Sequence, residues 1–443
     1  MSDRTIVLID GEHYPSVTLR GIEELRRRGI DPEIALLVGG KEKLGQIQLE
    51  LGVEIIDASH DPERTLASVI DRSSCRHVYD LSDEPVLGYV QRSRLASVAL
   101  WKGALYEGPG FRFDPPTRDK VAVPSVALIG TGKRSGKTAI GGHTARLWRE
   151  ADLHPVVVAM GRGGPEEPEP LEPDSLKDSR SLVRLADAGR HAASDYIEDA
   201  VTAGVRTVGA YRVGGGLTGQ PVLTNVAQAV SVAEAWAPGL LLLEGSGSAI
   251  PPIEADKTIL VVDATIDPGL LTGYFGLYRI LLADLIVLTM CEASLQREHL
   301  VQVQGCLSGH HDDLKVLQTI LRPFPLDDVS GKSIWFFTTA SKEATHDIRQ
   351  HLEDEHGAKV AGMSHSLADR SALKAELDSI GAVDAFAVEL KAAAVDVVAR
   401  QAEARGIPTI FVDNRPIQVG TSDTTIDKEL LRIGQEAIAS HRP

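Results

Sequence analysis

The sequence predicts an α/β protein with mostly parallel sheets, divided into two domains. Three observations carry this. Short apolar, β-branched runs alternate with helix-like segments along the whole length, the pattern of strands joined by helical crossovers. A stretch rich in Pro, Gly and charge, YEGPGFRFDPPTRDKVAVP at 106–124, interrupts that alternation. Directly after it an apolar run ends in a glycine-rich turn and a new helical pattern, VALIGTGKRSGKTAIGG at 126–142.

In the first part the strand candidates are TIVLID (5–10), EIALLVG (33–39), VEIID (53–57) and HVYDL (77–81). Between them lie the helix-like segments 17–29 and 62–74, and a longer one, 85–103, closes the set. The stretch 106–124 reads as a linker, which sets an N-terminal α/β domain at 1–120 and a second domain at 121–443. The second part supplies strand candidates at 125–131, 156–160, 207–213, 240–245, 258–264, 284–290, 333–340, 359–364, 385–390 and 409–414. Several stop in small or charged residues before a helix begins. In open parallel sheets that edge holds the ligands. The segment GRGGPEEPEPLEPDS at 161–175 reads as a mobile loop.

At 443 residues, two domains are the expectation. The formal net charge of −16 argues against nucleic acid, which needs a basic face. No apolar run approaches the ~18 residues of a membrane span, so no membrane association is expected. Cys75, Cys291 and Cys306 form no CxxC pair, so neither a disulfide framework nor a zinc site is expected. A reducing, cytoplasmic location follows from the same residues.

Against that acidic background, Lys133, Arg134 and Lys137 crowd one turn. A strand, a glycine-rich turn ending Gly-Lys-Thr, and a helix are the context of a phosphate-binding loop. Backbone amides of Gly132, Lys133, Arg134, Ser135 and Gly136 would cradle phosphate oxygens. Lys137 would reach the terminal phosphates of a nucleotide, and the Thr138 hydroxyl would ligate Mg²⁺. The position usually held by the first glycine of the motif is Thr131, with Gly130 one residue earlier. The absence of an NKxD guanine signature favours ATP. Cys291, Glu292 and the 412–416 turn are strand-end candidates for the base.

The form G-T-x-x-x-x-G-K-T resembles dethiobiotin synthetase, an ATP-dependent ring-closing enzyme. The strand end LLLLEGSGSAIPP at 240–252 looks like that family's metal-binding strand, which would make Glu244 a Mg²⁺ ligand. Asp263, at the next strand end, is either a further metal ligand or a helix cap. By likeness to related phosphate-loop enzymes, Asn414 would touch adenine.

LIDGEHYP (8–15), GTGKRSGKT (130–138), MGRGGPEEPE (160–169), YRVGGGLTG (211–219), LEGSGSAIPP (243–252) and ELKAAAVD (389–396) together resemble the cyclic 2,3-diphosphoglycerate synthetase family, in the same order and over nearly the whole chain. The resemblance implies ATP-dependent cyclisation of 2,3-diphosphoglycerate, with release of ADP and orthophosphate. Lys133, Arg134, Lys137 and Glu244 would then serve catalysis, and a homodimer is expected. Arg162, Arg212 and Lys391 follow apolar runs and are either substrate cations, or surface cations or helix-cap partners. Asp10, Glu12 and His13 either face substrate from the first domain, which would act as a lid, or form a polar turn. Two rivals stay open: another dethiobiotin synthetase-like kinase or ligase on a small anion, and a nucleotide-switched metallochaperone or partitioning protein.

Overall fold

The computed structural model describes residues 4–40, 50–176, 179–187, 194–310, 314–390 and 394–442. These fall into two units. The first holds the described residues within Met1–Thr117, Ile266–Leu282 and Val301–Asp313; the second holds those within Arg118–Thr265, Ala283–Leu300 and Leu314–Pro443.

The first unit is built on six strands: β1 (Arg4–Ile9), β2 (Asp31–Leu37), β3 (Glu54–Asp57), β4 (His77–Asp80), β5 (Leu105–Gly108) and β6 (Phe111–Phe113), in the order β3-β2-β1-β4-β5-β6. All neighbours are parallel except β5 and β6. The hairpin β5–β6 lies inside the stretch expected to be a linker. Its aromatic residues explain the difference. Tyr106 is fully buried and donates to Asp80 Oδ2 at 2.9 Å, and its ring stacks on Phe111 at 5.7 Å. Phe113 meets Phe275 edge-on at 4.8 Å. Helices Pro268–Thr272 and Gly276–Leu282 therefore belong to this unit although they follow it by some 150 residues of chain.

The second unit holds one sheet. Its strands are β7 (Ser125–Gly130), β8 (Pro155–Gly161), β9 (Glu169–Leu171), β10 (Arg206–Val213), β11 (Leu223–Thr224), β12 (Leu240–Glu244), β13 (Lys257–Asp263), β14 (Leu285–Thr289), β15 (Lys315–Pro325), β16 (Ser333–Phe337), β17 (Lys359–Ser364), β18 (Ala385–Glu389) and β19 (Thr409–Gln418). The order is β11-β10-β8-β12-β7-β13-β14-β15-β19-β18-β16-β17, with β9 on β10. The segment expected to be a mobile loop thus contributes a strand: Glu169 and Leu171 pair with Gly209 and Thr207, and Leu171 joins the core.

β7 is buried along its whole length between β12 and β13. Its apolar run needs helices on both faces, and helix Lys137–Glu150 covers one of them. Trp148 anchors that helix. It is fully buried, donates Nε1–H to the Leu430 carbonyl at 2.9 Å, and lies against Gly434 of helix Ile426–Ser440. A second tie is ionic. Arg146 pairs with Asp413 on β19 at 2.8 Å, and Arg415 reaches the same carboxylate at 3.1 Å. The glycine-rich turn that precedes the helix is thus set on a fixed support at the carboxyl edge of the sheet.

Candidate phosphate-binding site

The turn after β7 folds as a phosphate loop. Gly136 sits in the left-handed region at φ +82, which glycine adopts without strain, and it starts the helix at Lys137. The loop is pinned from β14: the Thr289 hydroxyl donates to the Ser135 carbonyl at 2.8 Å. Lys137 is buried, and its ammonium folds back to donate to Gly132 O at 2.8 Å and Ser135 Oγ at 3.3 Å. A Cβ on Gly130 would lie 2.8 Å from Lys137 Cδ and 3.0 Å from its Nζ. This accounts for the displaced glycine of the motif. The residue that must leave room for the lysine stem is Gly130, so Thr131 is tolerated.

A cavity of about 250 Å³ opens on this loop. Its wall takes Lys133 through Thr138 from the loop and helix start, Arg162 from the end of β8, Asp195 from the start of helix Asp195–Ala203, and Gly245, Ser246 and Gly247 after β12. Loop amides and the positive end of helix Lys137–Glu150 favour an anion there. Lys133, Arg134, Lys137 and Arg162 add cationic side chains, while Asp195 is the one carboxylate that the described residues bring to the wall. The Thr138 hydroxyl donates to Asp195 Oδ1 at 3.3 Å.

The other expected site residues lie off this wall. Glu244 ends β12 and is buried, its carboxylate pressed against Gly141 of the helix, where any side chain larger than hydrogen would collide with it. Arg212 is buried behind the wall. It donates to the carbonyls of Gly214 and Ser246, the latter at 2.9 Å, and burial, followed by the nearby Arg162, pushes its pKa below the usual arginine value. Asp263 accepts from the amide and hydroxyl of Thr265, both at 2.8 Å, and so closes a local turn; the cap of the next helix, Pro268–Thr272, is instead Asp267, which accepts from the Gly269 amide at 2.8 Å. Asn414 donates to Glu389 Oε1 at 3.0 Å, and Glu292 pairs with Arg322 at 2.8 Å. Cys291 is buried, which pushes its thiol up to about 11. Lys391 lies outside the described residues.

Asp10, Glu12 and His13 belong to the first unit. The buried Asp10 carboxylate organises the turn after β1. It accepts from the amides of Glu12 and His13 at 2.9 and 3.1 Å, from His13 Nδ1 at 2.8 Å, and from the Asp83 amide at 2.7 Å. Sequence reading missed Asp195. Its signal was Ser194-Asp195 ahead of Glu198 and Asp199, an acidic helix start at helical spacing. Such starts are common on ordinary helices, so the pattern alone did not point to a ligand.

Comparison with known proteins accounts for nearly the whole chain. Residues 4–114, 125–320 and 325–415 match, respectively, the N-terminal domain, the P-loop domain and the C-terminal domain of cyclic 2,3-diphosphoglycerate synthetase. The enzyme of that name from Rubrobacter xylanophilus is 42% identical over 438 residues, 98% of each chain. That from Thermococcus gammatolerans is 41% identical over 439 residues, again 98% of each chain. That from Methanothermobacter thermautotrophicus is 37% identical over 451 residues, 99% of this chain and 97% of the relative. Among the described residues, no helix is long and apolar enough to cross a membrane.

Proposed function

The chain belongs to the cyclic 2,3-diphosphoglycerate synthetase family, and from that premise we propose that it closes 2,3-diphosphoglycerate into its cyclic diphosphate using ATP, with release of ADP and orthophosphate. The observation that carries this reading is the cavity over the phosphate loop, where four cationic side chains face a small volume. Two phosphomonoesters near −2 each and a carboxylate give the acceptor roughly five negative charges. The nucleotide adds several more. Two unit charges 4 Å apart repel by about 4 kcal/mol at an effective dielectric near 20. Concentrated local cations are therefore what this reaction requires, and an overall acidic chain supplies them in one turn.

The chemistry runs in two steps. One acceptor phosphate oxygen attacks the γ-phosphorus of ATP; a P–O–P bond forms, the β–γ bridge breaks, and ADP departs. An oxygen of the other acceptor phosphate then attacks the inner phosphorus of the extended arm. A second P–O–P bond closes the ring and orthophosphate leaves with the former γ-phosphorus. Both reacting groups hang on adjacent carbons, so closure gains from proximity. Lys137 and the loop amides hold the nucleotide's terminal phosphates. Lys133 and Arg134, both exposed on the cavity wall, balance charge on the group in transfer. Phosphate oxygens are already anionic, so no strong general base is needed.

The residues present fit magnesium. Thr138 and Asp195 place a hydroxyl and a carboxylate within 3.3 Å of each other on the cavity wall. These are the hard oxygen donors that magnesium takes together with phosphate oxygens. Thr138 and Asp195 would hold the ion, with Glu244 in the layer beneath. Its chemistry would be to neutralise phosphate charge and fix phosphate orientation. Thr138→Val keeps the shape and removes the hydroxyl. It is expected to raise the Mg²⁺ concentration for half-maximal activity by about tenfold, one charge-assisted contact, while the thermal midpoint stays within about 2 °C, as for a single buried contact off the core. Titration of activity with Mg²⁺ checks this; an unchanged half-point removes Thr138 from the metal site.

Incubation with ATP, Mg²⁺ and 2,3-diphosphoglycerate tests the function. A cyclic anhydride signal in the ³¹P spectrum is the expected result; ATP hydrolysis indifferent to the acceptor would favour a nucleotide switch instead. The two rival readings are not favoured, because the family match runs through all three domains. A homodimer is part of the proposal and is checked by sedimentation of the full chain.

A further inference from the structure

A second pair of cations comes from the ends of β8 and β10, and one of them shares the cavity wall with the loop. Arg162 leaves the end of β8 and is exposed on the cavity wall. Arg212 is the penultimate residue of the adjacent strand β10, in which Tyr211 pairs with Gly161. Both guanidinium groups converge on one backbone position. A Cβ on Gly247 would lie 2.8 Å from Arg162 Nη2 and 3.6 Å from Arg212 Nη2. Gly247 has φ +62, so the site uses glycine both for its conformation and for the space it leaves.

The two guanidinium groups repel, and no carboxylate pairs with either among the described residues. Arg212 spends its outer nitrogens on the Gly214 and Ser246 carbonyls, but its Nε is buried without a hydrogen-bond partner. Arg212 is thus a buried cation beside a second, exposed one, with no acidic side chain among the described residues to offset it. The arrangement is stable in a site whose missing partner is an anion. The phosphate loop already provides for the nucleotide, and the pair comes from the ends of β8 and β10, two and three strands along the sheet from β7.

We infer that Arg162, with Arg212 buried behind it at Gly247, forms a second anion subsite that takes a phosphate group of the acceptor rather than of ATP. This rests on the functional reading above and deepens it. Arg162 touches the acceptor phosphate. Arg212 is a positioning residue: it holds the Ser246–Gly247 turn against which Arg162 rests and adds positive potential beneath it.

The test uses the full chain with its phosphate loop saturated by ADP, and follows binding of 2,3-diphosphoglycerate and of inorganic phosphate by calorimetry. Arg162 is exposed, so Arg162→Ala leaves the fold intact. It is expected to weaken both ligands by about 30-fold, the loss of one charge-assisted contact, with ATP affinity changed less than about threefold. Arg212→Gln should weaken the acceptor by about tenfold, and Arg212→Lys should recover most of that, which a purely packing role would not allow. Acceptor affinity unaffected by Arg162→Ala, or ATP affinity falling as far as acceptor affinity, overturns the assignment. If wild-type protein binds phosphate through Arg162 yet never cyclises 2,3-diphosphoglycerate, the subsite stands and the substrate reading falls.

Discussion

Lys137→Ala is expected to lower kcat/KM for ATP-dependent cyclisation by about 10²–10³-fold, the loss typical of removing a preorganised donor from developing charge. The reason lies in where its ammonium rests. Nζ is held between the Gly132 carbonyl and the Ser135 hydroxyl, within the glycine-rich loop itself. With nucleotide bound it would exchange these acceptors for phosphate oxygens. Because Lys137 is buried against Gly130, alanine leaves a small gap there rather than a new clash. A modest fall in stability is expected, far too small to explain the loss in rate. Lys137→Arg should not rescue, since the space beside Gly130 fits a narrow stem and not a planar fork. Steady-state assay of ADP release with and without 2,3-diphosphoglycerate checks the expectation. Activity within threefold of wild type would remove the loop from the chemistry.

Asp413→Ala is expected to destabilise the chain by about 3–5 kcal/mol, the range found when one member of a buried ion pair is removed. Asp413 and Arg146 are both nearly inaccessible, and Arg415 shares the same carboxylate. Alanine would leave two guanidinium groups close together with no acidic partner between them. Arg146 also contacts His143, which in turn pairs with Asp427 at 2.8 Å. The loss therefore reaches helix Ile426–Ser440, which carries the Trp148 anchor. Chemical denaturation followed by tryptophan fluorescence would show it directly, since Trp148 is fully buried. Replacing Asp413 and Arg146 together by leucine and methionine should cost less than Asp413→Ala alone, because the more deeply buried guanidinium is then removed with its partner and only the half-buried Arg415 loses its carboxylate. A single mutant as stable as wild type would show that the pair does not hold the helix in place.

Much of this architecture could be read from the chain because buried parallel strands announce themselves. Runs such as LLLLE at 240–244 and TILVVD at 258–263 are apolar, shorter than an ordinary helix and bounded by turn residues, and both are strands. The hairpin β5–β6 was hidden because its signal is aromatic rather than aliphatic and lies among Pro, Gly and charge. β15 was hidden for another reason. KVLQTILRPFP alternates, carries two prolines and joins β14 on one side to β19 on the other, so it resembles no single buried run. The grouping of Ile266–Leu282 with the first unit depends on aromatic contacts distant in sequence, which no local pattern records.

The site divides in the same way. Lys133 through Thr138 were legible, since turn, lysine and threonine each have a fixed duty in phosphate binding. Arg162 was legible as a strand-end cation beside glycines. Which of two similar strand-end cations reaches the cavity, and which supports it from behind, depends on the depth of the turn at Gly247. Asp195 arrives from a helix start that is unremarkable until it is seen against Thr138.

The most direct measurement follows the γ-phosphorus. ATP labelled there with ³²P, supplied with unlabelled 2,3-diphosphoglycerate, should yield one labelled orthophosphate for each cyclic molecule formed, with no label in the ring. Label recovered inside the cyclic product would contradict phosphoryl transfer followed by closure at the loop, and with it the role assigned to this cavity.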